Sequence, residues 1–583
     1  MATEVSKYSV YDPRIVQTRP KYAVEKGALS ITNVSFQAQT ADSSSVQFNV
    51  QVPSENVFVD RAVEWQGSLC AAITVVTSGA TIPEGASLQG LLAPAAFPLH
   101  QAVTQMSATI NDATVTVNTQ DVLPQVIRLA DMRDARRQRT CPTMLDRYAV
   151  YPDSSVVKNT PLLDWSETKD SDQVPNGGFN GFYFATTPAG TTPCGTGGPL
   201  AGGPPTVSYL NGQPYANQAI VASTSLTFWV VVTSVEKLLL PPFIFADEDE
   251  LSTGLFGVQN FQVQMNMSPS PSRTFRVAPG LSFIDSAGTR TWTTFSVSSA
   301  WSSTAAKGGI WTAQPSLATI FLTPSLEIPL PPKSVVNYSE YPRYISTPAT
   351  LVPQSTNLLS VGTQLTSNTI TLPNIPDLLV VYVKPASYSG PTQGDWSLPV
   401  TGVSLNFDNF SGLLSTMTQK QLYEMSVRNG VDMDWSEWSG CSYVPHTVAG
   451  GASGLPSAGG RVGLVGGPLV LKPGRDFSLS TGQACGLVGN FTLQFNLTVQ
   501  NFTGADQTPN IYVIAVSTGF FETIKGSSRI IKGVLTEQDI LAAPPSAPEK
   551  DLERPVGGIG RSAMEIARGL KPMGRGGAMN AYM

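Results

Sequence analysis

Apolar and polar residues alternate with a period of two along most of the chain, which is the pattern of a strand with one buried face. The segments "ITNVSFQAQT" and "SVQFNVQVPS" begin the series, and their Val and Phe residues fit a pleated, half-buried surface. A later apolar run, "SLTFWVVVTSVEKLLLPPF", is stopped by the Pro241–Pro242 pair. The pattern therefore predicts an all-β protein.

The strand pattern restarts after an acidic stretch, "ADEDE", at residues 246–250. The later strands are predicted in "LFGVQNFQVQMNMS" (255–268), "NTITLPNIPDLLVVYVKP" (368–385), "VTGVSLNFDNF" (400–410), "NFTLQFNLTVQN" (490–501) and "NIYVIAVSTGFF" (510–521). The restart indicates two sandwiches in one chain. The predicted boundaries are 1–27 for an N-terminal arm, 28–245 for the first sandwich, 246–254 for a linker, 255–530 for the second sandwich and 531–583 for a C-terminal tail.

Each half also contains one segment with helical periodicity directly after a strand. In the second half, Thr418 and Gln421 have the spacing of a capping box, and Asn429–Gly430 provides a C-terminal stop. In the first half, the strand "SATIND" precedes a helical pattern with Asp121 as its candidate N-cap. The apolar positions of that pattern are Leu123, Val126, Ile127 and Ala130. The repeated strand–helix unit favours a duplicated sandwich.

The chain has few charged residues for its length. Charged residues make up 13% of the 583 residues, where about 25% is usual, and hydrophobic residues make up 41%. A surface with so little charge indicates that part of it is buried against partners. The net charge of −6 does not indicate a protein devoted to wrapping nucleic acid.

The five cysteines are scattered, and no two lie within four positions of each other. This spacing excludes a C-x-x-C metal signature, and the odd count predicts free thiols. No apolar signal segment follows Met1, and no apolar run approaches the length of a membrane helix. We therefore expect neither a secretory signal nor a membrane span.

Residues 368–430 resemble the second jelly roll of double jelly-roll major capsid proteins, and they are similar to those of polinton-like viruses, virophages and polintons. The motifs that carry this resemblance are Ile375–Pro376, Lys384–Pro385, Phe407, Gly412–Ser415, Gln421–Tyr423, Met425–Ser426 and Asn429–Gly430. The join "VEKLLLPPF" also resembles the passage between the two jelly rolls of this family, although Lys237 stands where the family has proline. The resemblance extends diffusely over residues 28–525.

The resemblance implies two consecutive eight-stranded jelly-roll β-sandwiches, each with a short helix. Two Gly/Pro-rich stretches, 175–214 and 446–476, are predicted from their composition to be long loops, and both disorder and projection from the surface stay open for them. In the adenovirus-hexon lineage, three copies form a pseudo-hexameric capsomer of an icosahedral shell around double-stranded DNA. The implied partners are neighbouring capsomers and penton and minor capsid proteins, the implied location is the virion, and no catalysis or cofactor is implied.

Two other interpretations stay open at this point. A minor capsid or penton protein would normally carry a single jelly roll, so a single copy of the pattern would favour it. A carbohydrate-binding β-sandwich protein would need an aromatic platform or paired carboxylates in a groove. Asp434 and Glu437 are such a candidate carboxylate pair.

Residues suited to catalysis or metal binding are sparse. The chain has two histidines, His100 and His446, so a His-based triad or zinc site is not expected. The "ADEDE" stretch is most simply a solvated linker, because its spacing does not match an EF-hand loop. The glycines of "GGRVGLVGG" (459–467) do not follow a strand in a phosphate-binding pattern and are expected to serve turns.

One segment, "RLADMRDARRQRT" (128–140), concentrates basic residues. One interpretation is a solvated face whose arginines pair with Asp131 and Asp134. The alternative is an interior patch that contacts packaged DNA phosphates, or a partner beneath a shell, without reading sequence. The residues of this candidate patch are Arg133, Arg136, Arg137 and Arg139.

Overall fold

The computed structural model describes most of the two predicted sandwiches. The described residues are 28–77, 92–129, 145–149, 182–186, 209–210, 213–214, 225–243, 254–277, 280–284, 290–301, 310–324, 330, 332–355, 361–386, 390–443, 461–503, 505–533 and 535–542. The predicted N-terminal arm, the "ADEDE" linker and the tail beyond Ala542 lie outside them.

The first half of the chain forms seventeen strands within the described residues. They are β1 (Ala28–Gln37), β2 (Thr40–Ala41), β3 (Ser45–Gln51), β4 (Phe58–Val59), β5 (Glu64–Thr77), β6 (Leu92–Pro94), β7 (Val103–Ile110), β8 (Ala113–Val117), β9 (Phe182–Thr186), β10 (Tyr209–Leu210), β11 (Gln213–Pro214), β12 (Ser225–Lys237), β13 (Asn260–Met267), β14 (Phe275–Val277), β15 (Gly280–Ile284), β16 (Arg290–Trp301) and β17 (Trp311–Pro324).

Two antiparallel sheets dominate this half, which we call the first sandwich. One sheet has the order β1-β17-β5-β12-β9, with β4, β15 and β16 attached, and the other has the order β2-β3-β13-β7-β8. Strands β13, β16 and β17 therefore pair with strands that precede the predicted linker. The predicted boundary at 246–254 is thus wrong, because it separates strands of the same sheets. The division falls between Pro324 and Ser334.

The described residues of the second half form thirteen strands, which we call the second sandwich. They are β18 (Ser334–Glu340), β19 (Arg343–Ser346), β20 (Thr363–Thr366), β21 (Ile370–Asn374), β22 (Leu378–Pro385), β23 (Val400–Phe407), β24 (Phe410–Leu413), β25 (Cys441–Tyr443), β26 (Arg461–Gly463), β27 (Leu469–Leu471), β28 (Val488–Val499), β29 (Pro509–Ile524) and β30 (Ser527–Lys532). One sheet is built on β18-β29-β22-β27 and the other on β20-β28-β23-β24. The all-β, two-sandwich prediction is confirmed.

The buried faces of the sheets follow the period-two pattern of the sequence. Along β3, for example, Val46, Phe48 and Val50 are buried while the residues between them are half-buried or exposed. These side chains belong to one continuous hydrophobic core that extends through both sandwiches. Burying a side chain such as that of Phe48 stabilises the fold by about 1.5–3 kcal/mol before entropy is counted.

The described residues form five α-helices. They are α1 (Pro98–Gln101), α2 (Thr119–Val126), α3 (Gln419–Arg428), α4 (Trp435–Ser439) and α5 (Glu537–Ala542), and a 3₁₀ turn covers Pro271–Arg273. The capping box of Thr418 and Gln421 is present at the start of α3. The N-cap predicted for α2 is wrong: Asn118 occupies that position, and Asp121 lies within the first turn.

The polar residues of the motif in α3 anchor this helix to the chain around β27. Ser426 donates to the carbonyl of Leu422 and accepts the backbone N–H of Val470 at 3.1 Å. The amide of Asn429 donates to the carbonyl of Val470 at 2.9 Å and to Asp476 at 2.5 Å. These hydrogen bonds explain why a serine occupies position 426 and an asparagine occupies position 429.

The glycines of "GGRVGLVGG" that lie in the described residues serve close packing as well as turns. A Cβ on Gly467 would lie 2.0 Å from the ring of Trp438, and one on Gly466 would lie 2.2 Å from the carbonyl oxygen of Ser397. Gly466 also has a positive φ of 68°. No phosphate-binding loop is needed to account for these two positions.

The prediction of free thiols holds at two described cysteines and is wrong at a third. Cys441 and Cys485 are not disulfide-bonded. Cys70, on β5, is disulfide-bonded. Burial raises the pKa of the Cys485 thiol to about 11, so this group is a poor nucleophile near neutral pH.

Candidate functional site

The predicted basic patch lies outside the described residues, so Arg133, Arg136, Arg137 and Arg139 stay a prediction. The start of the segment is described, and it is not a solvated face. Arg128 is buried, and its guanidinium donates to the carbonyl of Asp146 at 3.0 Å. Its own carbonyl accepts the N–H of Asp432 in the second sandwich at 2.9 Å.

His100 has a structural role. The ring is fully buried, its Nε2 accepts the backbone N–H of Leu239 at 3.2 Å, and its Nδ1 contacts the carboxylate of Glu236. An acceptor at Nε2 places the ring proton on Nδ1, facing Glu236. Glu236 also accepts the N–H of Leu99 at 2.8 Å, so the network fixes α1 against β12. His446 and the "ADEDE" carboxylates lie outside the described residues.

The carboxylate pair Asp434 and Glu437 is likewise structural. Asp434 caps α4 by accepting the N–H of Glu437 at 2.8 Å. Arg147, from the first half of the chain, contacts Asp434 at 3.2 Å and Glu437 at 2.6 Å. Both carboxylates are thus engaged by one guanidinium, which does not resemble a glycosidase pair around a substrate. Within the described residues, no group of three or more His, Cys, Asp or Glu side chains could hold a metal ion.

The most elaborate polar arrangement lies where the two sandwiches meet, a region we call the junction. Residues 145–149 of the first half cross onto the second half there. The N–H of Ala149 donates to Gly463 and the N–H of Val465 donates to Arg147, both at 3.0 Å. The N–H of Asp395 donates to the carboxylate of Asp146 at 2.9 Å.

Arg276, on β14, is the centre of the junction and is fully buried. Its Nε and Nη2 form a bidentate pair with Asp146 at 2.9 and 2.7 Å. Its Nη1 donates to the carbonyls of Arg273 and Phe275 at 2.8 and 2.9 Å, and Nη2 also reaches Asp395 at 3.5 Å. All five guanidinium N–H groups therefore have acceptors, which is the condition for burying arginine at low cost.

Asp395, in the loop before β23, connects the sandwiches from the other side. It accepts from Gln101 of α1 at 2.7 Å and forms an ion pair with Arg273 of the 3₁₀ turn. Burial alone would raise the pKa of the Asp395 carboxyl. The positive charges of Arg273, Lys384 and Arg276 outweigh burial and hold this pKa well below its usual range. The carboxylate is therefore ionised in the folded protein.

Lys384, at the end of β22, is the least satisfied group of the junction. Its side chain is buried, and its Nζ has no hydrogen-bond partner among the described residues. Burial lowers the pKa of this amine to about 7, and the nearby charge of Arg273 acts in the same direction.

Two tyrosines extend the junction along β22 and β29. The rings of Tyr382 and Tyr512 stack with centroids 5.1 Å apart. The hydroxyl of Tyr382 donates to the carbonyl of Asp121 in α2 at 2.5 Å, and the carboxylate of Asp121 pairs with Arg343 of β19. Burial raises the pKa of Tyr382 far above its usual value, so the phenol stays a neutral donor. The first turn of α2 is thereby bound to the second sandwich.

A second set of contacts joins the sandwiches at the β7–β8 and β29–β30 turns. Asn111, with φ of 53°, donates through its amide to Ser528 at 2.9 Å. Asp112 accepts the N–H of Ser528 at 2.5 Å and the hydroxyl of Ser527 at 3.0 Å. Two separated sets of contacts therefore join the sandwiches and restrict rotation of one against the other.

The sequence did not reveal the junction, because its members are dispersed between residues 101 and 512. A signal was nevertheless present. Arg276 stands between Phe275 and Val277, and Lys384 follows an uninterrupted apolar strand, "LLVVYV". Charged residues in apolar strands are almost never buried without a partner, so their placement indicated an internal ion network.

Two family models match this chain. The model described as the first domain of the Sputnik virophage major capsid protein matches residues 3–303, and the model of the C-terminal domain of major capsid protein V20 matches residues 341–519. The two matched stretches are divided between residues 303 and 341, in agreement with the strand pairing.

Individual relatives give the same result. Capsid protein V20 of Sputnik virophage is 25% identical over 553 residues, covering 93% of this chain and 82% of that protein. A chain of the Sputnik virophage cryo-EM structure superposes with a TM-score of 0.68 at 23% identity, covering 96% of this chain and 99% of that one. The mavirus major capsid protein superposes with a TM-score of 0.63 at 14% identity, covering 92% and 96%.

Proposed function

The chain belongs to the Sputnik virophage major capsid protein family, and from this premise we propose that three copies form a pseudo-hexameric capsomer that tiles an icosahedral shell around a double-stranded DNA genome. Like its relatives, which are capsid proteins, it is a structural protein of the virion and not an enzyme. The capsomer, the shell and the enclosed DNA are the proposed part.

The observation that carries the proposal is the hydrogen-bonded pairing of two sandwiches in one chain. Three such chains supply six sandwiches, which is what a six-sided tile requires, whereas a penton or minor capsid protein with a single jelly roll would not need the junction. Because the junction is already ordered within each chain, association does not have to order it again. The carbohydrate-binding alternative lacks support, since Asp434 and Glu437 are held by Arg147.

A surface suited to contact with a second copy lies on the strands β18, β29 and β30. Phe520 is 51% exposed, and Val335 and Ile524 are 41% and 42% exposed. The pairing of Asn337 with Phe520 and of Phe520 with Ile531 puts these side chains on one face of the sheet. Exposed aromatic and aliphatic residues on a shared face are typical of interface cores. We assign this face to contact between copies of the chain.

Mass measurement of the full chain in solution tests the proposal. We expect a particle of three times the 61.9 kDa chain mass. The Phe520→Asp variant should shift the particle towards monomer, because a charge cannot be buried unpaired in the interface. The Thr371→Asp variant, which adds the same charge at an exposed position of β21, should stay trimeric. A monomeric wild-type chain would refute the capsomer.

The predicted basic patch is part of this proposal. We propose that Arg133, Arg136, Arg137 and Arg139 lie inside the shell and contact packaged DNA phosphates, or a partner beneath the shell, without sequence preference. Reversing the charge at Arg136 and Arg137 should leave the capsomer mass unchanged and reduce the DNA content of particles. Particles with undiminished DNA would remove the DNA contact from the proposal.

Partners beyond the chain itself follow from the same geometry. A closed shell of six-sided tiles requires five-fold vertices, so penton proteins and minor capsid proteins are the proposed partners. Among the described residues, no helix has the length and apolarity to cross a bilayer.

A further inference from the structure

A cavity of about 80 Å³ lies at the junction between the two sandwiches. Its polar lining includes Gln120, Asp121, Arg273, Lys384, Asp395 and Tyr512. This volume exceeds the roughly 10–15 Å³ that a single water needs. We propose that the cavity binds a small free oxyanion of the sulfate or phosphate class, held between the Lys384 ammonium and the Arg273 guanidinium. This inference is independent of the proposed capsomer.

The first argument is the state of Lys384. Its amine is buried at the cavity and has no hydrogen-bond partner among the described residues. A buried ammonium without an acceptor is strongly disfavoured, so the position favours a neutral amine, an ordered water or an anion beside it. An oxyanion supplies acceptors for its three N–H groups.

The second argument is the charge that faces Lys384 from neighbouring elements. Arg273 of the 3₁₀ turn, Arg276 of β14 and Arg128 after α2 all disfavour its protonation, while Asp395 favours it. The positive charges of Lys384 and Arg273 repel each other, and an anion placed between them would attract both. Tyr382 and Tyr512 are the aromatic titratable groups on this side, and Tyr382 is held neutral by burial.

The carboxylates of the lining do not prevent anion binding, because each already has cationic or N–H partners. Asp395 accepts from Gln101, Arg273 and Arg276, and its pKa is held low by their charges and that of Lys384. Asp121 pairs with Arg343. Asp121 and Gln120 also lie in the first turn of α2, where the helix dipole favours negative charge.

The expected consequence is a stability that depends on the bound oxyanion. A ligand that contacts Lys384 of the second sandwich and Arg273 of the first would add a bond across the junction, and it would raise the unfolding temperature in a saturable way. Binding should be stronger below pH 7 than above it, because only the protonated amine attracts an anion.

Sulfate is the suitable probe, because its charge does not change near neutral pH. Thermal unfolding of the full chain is measured against sulfate at constant ionic strength, with chloride as the replacement ion. We expect a saturable rise for the wild type and at least a tenfold weaker apparent affinity for Lys384→Met. Lys532→Met, which removes a surface lysine paired with Glu340, should bind as the wild type does. Equal sulfate responses in wild type and Lys384→Met would overturn the proposal.

A second measurement covers the case in which Lys384→Met does not fold. Crystals of the wild-type chain grown with selenate instead of sulfate should show an anomalous peak between Lys384 Nζ and Arg273. A cavity without such a peak, at a selenate concentration that saturates the thermal response, would equally overturn the proposal.

Discussion

Single charged residues matter most in this protein where water is excluded. Arg276 has every donor satisfied, whereas Lys384, at the same junction, has no acceptor among the described residues. The sequence could predict that such residues need partners, but not which ones, because Asp146 and Asp395 come from distant segments. The capping box at Thr418 could be predicted fully, since both of its members lie within four residues.

Removing the charge of Arg276 should be strongly destabilising. In Arg276→Met, the carboxylate of Asp146 loses its bidentate partner while staying buried, which costs about 3–5 kcal/mol. Urea unfolding at fixed protein concentration should show a correspondingly lower midpoint. Arg529→Met is the matched control, because the Arg529 side chain is largely exposed and its buried partner Glu522 keeps a second cationic partner in Lys333. The effect of this substitution should be smaller. Similar effects of the two substitutions would contradict the central role of Arg276.

The pH dependence of stability should report on Lys384. Its pKa is about 7 in the folded chain and near the ordinary lysine value of 10.5 when unfolded, so the unfolded state binds an extra proton between these values. Stability should therefore rise with pH from 7 to about 10, by an amount on the order of a few kcal/mol.

The measurement is the unfolding free energy across this pH range in chloride buffers without oxyanions. Lys384→Met should lack most of this rise in unfolding free energy. At pH 7 or below it should be more stable than the wild type, because the wild type then buries an amine that is at least partly protonated. A rise of the same size in both proteins would assign it to other groups.

At the scale of elements, sequence patterns located the strands and helices well but not their partners. The period of two identified β13, β23, β28 and β29, and the helical period identified α2 and α3. The boundary at 246–254 was wrong because alternation records only which face of a strand is buried. Which sheet a strand such as β13 joins depends on pairing with β3 and β7, far earlier in the chain.

The capping box of α3 allows a test at this scale. Thr418→Ala removes the acceptor for the N–H of Gln421 and should destabilise the chain by about 1 kcal/mol. Thr418→Ser retains the hydroxyl and should unfold close to the wild-type temperature. A loss in Thr418→Ser as large as that in Thr418→Ala would assign the effect to the methyl group instead.

The whole molecule is a pair of sandwiches whose duplication could be inferred from the repeated strand–helix unit and from the family resemblance. The junction could not be inferred, because a contact between two units does not change the hydrophobic periodicity of the sequence of either unit. It is formed by residues that each unit presents singly, such as Gln101, Asp121 and Asp395.

The corrected division predicts how the chain can be cut. A fragment of residues 1–330 retains every described strand of the first sandwich, whereas a fragment of residues 1–254 lacks the five strands from β13 to β17. We expect the longer fragment to resist limited proteolysis and the shorter one to be digested or to aggregate. Equal resistance of the two fragments would argue for the earlier boundary.

The pairing of β1 with β17 has a consequence for synthesis on the ribosome. Strand β1 emerges early, but its neighbour β17 is translated only after more than half of the chain has been made, which at roughly 5–20 residues per second is a delay on the order of tens of seconds. During that interval its backbone edge is open to other nascent chains. A cell producing many copies at once must therefore shield unfinished chains, and the rate of production, rather than the stability of the finished protein, would limit the yield of correctly folded molecules.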